Sequence, residues 1–528
     1  MLILQDVTYK HPDQDVLFSG LDLSVNPHDK IALVGNNGTG KSTLLRLIAG
    51  ELPVFAGSIR RNVISYYIPQ LFGQYDHFTI AEALRIDKKL LALKQILNGD
   101  VSEQNMNMLN DDWTIEERCH EALDHWRLEV QDLFTPMAAL SGGQKTKAFL
   151  AGIDIHQPEF VLLDEPGNHL DADSRAILYD YIQHTDDTLL VVSHDRTLLN
   201  LLTTVFELDQ GKIHVYGGNY EFYREQKLVT TQALQQDVQS KEKALRKARQ
   251  TEREAAERQQ KLDARGKKKQ EKAGLPTISM NTFRNNAEKS TARVKGVHEE
   301  KVDGIYRELE SLRKDLPGAD KMKMIFDDST LHKGKRLIIA NDVDHKYNDQ
   351  WLWKEPLSFQ ISSGERIAIK GANGSGKTTL IRLMLGDLRP TKGTMVNAAS
   401  QTIYIDQEYS IISTGLSLYE QAQRFNTANL PEHAVKNRLT KFLFTKGDWD
   451  KSSSILSGGE RMRLLLCCLT LTPVPPDIIV LDEPTNNLDI QNVEILTNAI
   501  NEYKGTLIVV SHDANFLAQT GITRFMEL

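Results

Sequence analysis

An α/β fold built twice, with a long helical hairpin between the copies, is what this 528-residue sequence predicts. Three observations carry that prediction. Four sequence blocks recur in the same order, so the chain holds a duplicated domain. Within each copy, short apolar runs alternate with amphipathic stretches, the pattern of buried parallel strands and covering helices. Between the copies lies a charged segment without the apolar stripe of a core helix.

The first repeated block is "KIALVGNNGTGKSTLLRLIAGEL" at 30–52 and "RIAIKGANGSGKTTLIRLMLGDL" at 366–388. "LSGGQKTKAFLAG" at 140–152 pairs with "LSGGERMRLLLCC" at 456–468. "FVLLDEPGNHLD" at 160–171 pairs with "IIVLDEPTNNLD" at 478–489, and "TLLVVSHDRTLLN" at 188–200 with "TLIVVSHDANFLA" at 506–518. Lys41 and Ser141 are 100 residues apart, whereas Lys377 and Ser457 are 80 apart. The first copy therefore carries about twenty extra residues, read as a small helical insertion with a polar loop within "LKQILNGDVSEQNMNMLNDDW". Domains are expected at 1–222, 223–334 and 335–528, the middle one being the linker.

Residues 230–272 contain no proline and one glycine, and are rich in Gln, Lys, Arg, Glu and Ala, which suits a long solvated helix. Gly274 and Pro276 end it, and a second helix is expected from near His298 to about Arg313. Between Lys241 and His298 stand 17 Lys or Arg against 7 Asp or Glu, in a chain whose overall formal charge is −8. A basic block inside an acidic protein points to a polyanionic partner. The bland alternative is a charged coiled coil that spaces the two copies.

The remaining bulk properties exclude several classes. Hydrophobic residues make up 40% and charged residues 25% of the chain, as in ordinary globular proteins. Cys119, Cys467 and Cys468 fit no disulfide framework, zinc site or iron–sulfur cluster, and are expected to be reduced core residues of a cytoplasmic protein. "MLILQDVTYKH" turns polar too soon for a signal peptide, and the longest apolar run, near "LLLCCLTLTPV", is about half a bilayer span and is broken by Pro473.

The repeated motifs carry nucleotide chemistry. "GNNGTGKST" and "GANGSGKTT" each fit G-x-x-x-x-G-K-[ST] between a strand and a helix. Gly35, Asn36, Gly38 and Gly40, and in the second copy Gly371, Asn373, Gly374 and Gly376, supply backbone N–H groups that curl around phosphates. Lys41 and Lys377 neutralise phosphate charge, Thr43 and Thr379 extend the loop, and Ser42 and Thr378 offer hydroxyls to Mg²⁺. Asp164 and Asp482 end apolar strands and are read as Mg²⁺ carboxylates. Glu165 and Glu483 follow them, placed to polarise an attacking water. His194 and His512 are read as γ-phosphate contacts, and Gln70 and Gln407 as groups reaching the metal and the water. Ser141, Gly142 and Gly143, and Ser457, Gly458 and Gly459, stand before helices as a second phosphate cradle, which suits service to the partner domain's nucleotide.

These residues in this order resemble the ATP-binding cassette (ABC) ATPases, across both copies. The fold this implies is two P-loop ATP-binding cassettes joined by the helical linker. The resemblance also implies two ATP held head to tail, Lys41 with Ser457 and Lys377 with Ser141, within one monomeric chain. Tyr347 matches the family's adenine-stacking aromatic; its ungapped counterpart is His11, with Tyr9 two residues away. Tandem cassettes, a charged helical linker and "DEPxNxLD" resemble the F subfamily (ABC-F), whose members act on ribosomes and whose linker enters the tRNA exit site near the peptidyl-transferase centre. On that resemblance Arg265, Lys267, Lys268, Lys269, Lys272, Arg284, Lys289, Arg293 and Lys295 would contact ribosomal RNA and peptidyl-tRNA. The role would be a translation factor or antibiotic protection. Two rivals remain: a detached ATP-hydrolysing subunit of a transporter, and a non-enzymatic scaffold. Departures from the family pattern are Gly167 for Thr, Asn487 for His, and Glu460 where the first cassette has Gln144.

Overall fold

The computed structural model describes residues 2–11, 16–70, 72–130, 132–273, 296, 300–313, 334–347, 349–372, 374–486 and 488–528; the side chains of 259, 263 and 266–273 are outside the description. Asn373 and Asn487, and the candidate RNA contacts Arg284, Lys289, Arg293 and Lys295, fall outside it.

The first cassette opens with β1 (Leu2–Lys10) and β2 (Val16–Val25), followed by β3 (Lys30–Val34), β4 (Ala56–Arg61) and β5 (Ser65–Ile68). Then come β6 (Phe160–Asp164), β7 (Thr188–Val192), β8 (Thr204–Asp209) and β9 (Lys212–Tyr216). A six-stranded sheet runs in the order β5-β6-β7-β3-β8-β9, parallel except for the β8–β9 hairpin. The expected α/β fold is present: β6 and β7 are buried at every position, as continuous apolar runs require of strands covered on both faces.

The second cassette repeats this plan with β10 (Arg336–Asp344), β11 (Lys346–Tyr347), β12 (Gln350–Trp351), β13 (Leu357–Ser362) and β14 (Arg366–Lys370). β15 (Lys392–Asn397), β16 (Thr402–Ile405), β17 (Ile478–Asp482), β18 (Thr506–Val510) and β19 (Arg524–Glu527) complete it. Its parallel sheet has the order β16-β17-β18-β14-β19. Each cassette also carries a three-stranded antiparallel sheet, β2-β1-β4 and β13-β10-β15, which the repeated blocks do not reveal. The extra residues of cassette 1 are helical: Ile80–Ala83, Asp87–Leu97, Glu103–Leu109 and Ile115–His125 stand where cassette 2 has Leu418–Phe425 and Glu432–Lys441.

The two cassettes pack as one compact unit, residues 1–222 with 321–528, and residues 223–320 form another. The long helix begins at Tyr220, ten residues before the proline-free stretch suggests. Asn219 starts it by accepting the Phe222 amide at 3.1 Å, an N-cap bond. The helix runs 54 residues to Ala273, a rod of about 80 Å. Within the linker unit, Val238 and Leu245, seven apart, pack against Leu309 with Val302, Ile305 and Leu312 alongside. That spacing is a short coiled-coil seam. Lys241–Glu308 and Glu242–Arg313 ion pairs flank it. Among the described residues no helix is long and apolar enough to cross a membrane. All three cysteines are free and buried.

Candidate ATP sites

Each phosphate loop sits between the end of a central strand and the N-terminus of a helix, Lys41–Ala49 after β3 and Lys377–Leu385 after β14. Gly40 and Gly376 precede these helices at φ 99° and 93°. A Cβ at Gly40 would lie 2.6 Å from the end of the Leu17 side chain, and one at Gly376 2.7 Å from that of Leu352, but it is the left-handed backbone that calls for glycine. Lys41 Nζ donates to the Gly35 and Asn36 carbonyls at 2.8 and 3.0 Å, and Lys377 Nζ to Gly371 and Ala372 at 2.7 and 3.0 Å. Both ammonium groups are thus held against their own loops. Burial lowers the pKa of each, opposed by neighbouring carboxylates: Glu165, Asp489 and Asp164 around Lys41, and Glu483, Asp482 and Asp171 around Lys377.

Asp164 lies at the buried end of β6, and Asp482, half-buried, at the end of β17. Tyr67 donates to Asp164 Oδ2 at 3.2 Å, and Tyr404 to Asp482 Oδ2 at 2.9 Å. The Ser42 hydroxyl beside Asp164 and the Thr378 hydroxyl beside Asp482 favour the ionised carboxyls. Burial raises both carboxyl pKa values. Asp164 Oδ1 is buried and has no hydrogen-bond partner. A hydroxyl beside an unsatisfied carboxylate oxygen fits Mg²⁺, which takes oxygen ligands and keeps part of its water shell. Among the described residues no group of three or more His, Cys, Asp or Glu could hold a metal alone, so phosphate and water oxygens would complete such a shell.

Glu165 and Glu483 both adopt left-handed backbone, φ 52° and 48°, a conformation that costs a non-glycine residue energy and clusters at functional sites. Their amides donate to the Val192 and Val510 carbonyls at 2.8 Å, which pins the turn. Glu165 Oε2 accepts the His194 amide at 3.3 Å, and Glu483 Oε2 accepts that of His512 at 3.4 Å. In both cassettes Oε1 stands 3.4 Å from the imidazole Nε2 yet has no hydrogen-bond partner. Burial, with the adjacent Asp164 charge, raises Glu165 to about 8, and burial raises Glu483 to about 7. His194 falls to about 3 and His512 to about 4, mainly through burial. These contacts therefore involve neutral imidazoles and are not ion pairs.

The signature serines cap their helices. Ser141 accepts the Gln144 amide at 3.3 Å while Gln144 Oε1 accepts the Ser141 amide at 2.9 Å. Ser457 and Glu460 form the same capping box, but there the Ser457 hydroxyl also donates to the Glu460 carboxylate at 2.8 Å. The exchange of Gln for Glu thus engages the hydroxyl proton that could otherwise meet a phosphate.

Each site draws residues from the facing cassette. A cavity of about 590 Å³ brings Ser141, Gly142 and Gly143 of cassette 1 together with Gly374, Gly376, Lys377, Thr378, Thr379, Gln407, Asp482, Glu483 and His512 of cassette 2. Tyr347 stands at its wall, its hydroxyl 3.4 Å from that of Thr379. The first loop lines a smaller cavity, about 350 Å³, with Gly38, Gly40, Lys41, Ser42, Thr43, Gln70, Asp164, Glu165, His194 and His11. Cassette 2 meets that loop through Asp489, whose Oδ2 accepts the Asn37 amide at 3.1 Å.

Motif reading missed several residues that the fold brings in. His169 and Arg175 of cassette 1 line the second cavity, and Asn486 joins them from cassette 2. Arg175 is, after burial, the largest influence on the Glu483 carboxyl, favouring its ionised form. Only its place four residues beyond Asp171, in the first turn of the helix Ala172–His184, could have drawn attention. The site of Gly167 is roomy: a Cβ there would meet only Asp195 Oδ2, at 3.9 Å. Packing therefore does not require glycine at this departure.

Two phosphate loops, each backed by a buried carboxylate pair and a neutral histidine, define a tandem P-loop ATPase. The family model described as ABC transporter matches residues 18–168 and 355–486. The ribosome protection protein VmlR of Bacillus subtilis is 30% identical over 98% of this chain and 85% of its own length. The ABC transporter F family member 5 of Arabidopsis thaliana is 30% identical over all of this chain and 72% of its own. Among solved structures, the archaeal ribosome recycling factor aABCE1, crystallised with the stalk protein aP1, shares the fold at a TM-score of 0.60 and 19% identity, covering 99% of this chain and 87% of that one. The chain belongs to the ATP-binding cassette family, in its F branch, and is an ATPase.

Proposed function

We propose that this protein is a ribosome-associated ATPase whose two cassettes close on two ATP and, in closing, seat the basic linker against ribosomal RNA and peptidyl-tRNA near the tRNA exit site. The single observation that carries the reading is the second cavity, where one cassette's Ser-Gly-Gly helix start faces the other's phosphate loop. A γ-phosphate between Lys377 and the Ser141 helix N-terminus would hold the two cassettes together, and its hydrolysis would release them. Glu165 and Glu483 take a proton from the attacking water, and the neutral imidazoles of His194 and His512 hold the phosphate oxygens. Mg²⁺ held at Ser42 with Asp164, and at Thr378 with Asp482, would supply charge neutralisation between the phosphates. Gln70 and Gln407 orient water beside it. Tyr347 stacks on adenine in the second site and His11 in the first. VmlR is by name a ribosome protection protein, which supports the ribosomal partner and leaves antibiotic protection as the finer form of the proposal. A transporter subunit has no use for a linker whose 241–298 stretch carries a surplus of ten positive charges.

The linker is tested by exchanging Arg265, Lys267, Lys268, Lys269 and Lys272 for serine. Arg265 is exposed on the long helix. Association with ribosomes is expected to weaken, with the slope of log K against log salt flattening by about 0.7–0.9 for each RNA phosphate no longer neutralised. An unchanged slope, or recovery of the wild-type protein in the membrane fraction, would speak for the transporter reading.

The first site is expected to hydrolyse more slowly, because Gly167 removes a side chain beside Glu165. Single-turnover hydrolysis is therefore slower in Glu483→Gln, which retains the first site, than in Glu165→Gln. Equal rates count against the inequality.

A further inference from the structure

Cassette 1 sends two arginines across to cassette 2, and neither has a counterpart coming back. Arg175 donates from Nε to the Gly167 carbonyl and from an Nη to the His512 carbonyl, both at 3.2 Å. It therefore ties the turn after Glu165 to the turn that carries the second site's histidine. Its side chain also lines both the second ATP cavity and the neighbouring cavity of about 240 Å³ between the cassettes. Aligning Asp171 with Asp489 places Val493 at the corresponding position, where no donor exists. Arg196 pairs with Glu494 at 2.8 Å, again reaching from cassette 1 to cassette 2, and the same alignments give Ala514 and Ala176 as their counterparts. The His194 loop is thus held by an ion pair on the neighbouring helix, whereas the His512 loop is held directly at its own carbonyl.

We infer that Arg175 is a positioning residue of the second ATP site, supplied in trans, which fixes His512 and the facing Glu483 only while the cassettes are closed. A guanidinium suits this role because its planar fork reaches two carbonyls at once with a charge that stays on. The device makes hydrolysis at the second site depend on the position of cassette 1, and leaves the first site without an equivalent. Nothing in the phosphate loop itself needs Arg175, so its loss should act on turnover more than on ATP affinity.

This inference rests on the composite second site proposed above. It is tested by single-turnover ATP hydrolysis without ribosomes, in the Glu165→Gln background where only the second site works. Arg175→Met is expected to lower the rate about tenfold, the scale of a missing charge-assisted hydrogen bond, with little change in the ATP concentration at half-maximal rate. Arg175→Lys, which keeps the charge and a donor, recovers part of that loss. In the Glu483→Gln background the loss from Arg175→Met is several-fold smaller. Equal losses in the two backgrounds, a weaker ATP affinity at constant rate, or a lysine no better than methionine would each overturn the assignment. Ser141→Ala in the Glu165→Gln background separates the two levels. If it slows hydrolysis while Arg175→Met does not, only the role of Arg175 fails; if it has no effect, the composite site fails with it.

Discussion

Replacing Glu165 and Glu483 together by glutamine is expected to lower steady-state ATP hydrolysis by about 10²–10⁴-fold, the range for removal of a general base. Glutamine is nearly isosteric, so the amide acceptance at Oε2 from His194 and His512 can persist. What disappears is the group that takes the proton. Both side chains sit in left-handed turns pinned to the neighbouring strands, so the change should not disturb the phosphate loops. Nucleotide binding is expected to survive and ADP release to cease, which filter binding of labelled ATP would register. A variant that hydrolyses at more than a tenth of the parental rate would remove these carboxylates from the chemistry.

Lys41→Ala is expected to weaken ATP binding more than Lys377→Ala, with losses of roughly ten- to a hundredfold. Each lysine supplies the cation nearest the phosphates, but the surroundings differ. Without Lys41, the first site keeps Asp164 and Asp489 close by, and their charge repels a triphosphate. Without Lys377, the second site keeps Glu483, Asp482 and Asp171, but the Arg175 guanidinium still faces Glu483. Titration of a fluorescent ATP analogue into each variant would order the two losses, and the reverse order would contradict this account of the electrostatics.

The parts of this molecule that sequence makes plain are those set by local chemistry. The runs "IALVG", "FVLLD" and "TLLVVS" could only be covered strands, and they form the middle of a parallel sheet. Gly40 and Gly376 were legible because the phosphate-loop motif asks for glycine before its lysine; the left-handed φ they adopt was not. Ser141 and Ser457 were legible as helix starts, since a capping box needs only residues three apart. Arg175 was not: its partners are a carbonyl eight residues back and another 337 residues away, and no spacing rule links them. The left-handed turns of Glu165 and Glu483 were hidden for a similar reason, because the β7 and β18 carbonyls that impose them come from elsewhere in the chain. The early start of the linker helix at Tyr220 depends on Asn219, a cap outside the proline-free composition that advertised the helix. Asp489 of cassette 2 meets the first loop at the Asn37 amide, and its repeat counterpart Asp171 acts on Lys377 of the second, a reciprocity that the paired "LD" motif ends did not announce.

Sedimentation of the Glu165→Gln/Glu483→Gln protein with ribosomes through a sucrose gradient tests the central claim most directly. With ATP bound and hydrolysis blocked, the closed cassettes should hold the protein on the ribosome, while the same protein with ADP stays at the top of the gradient. Equal distribution in ATP and ADP, or no ribosomal fraction at low salt, would contradict the account.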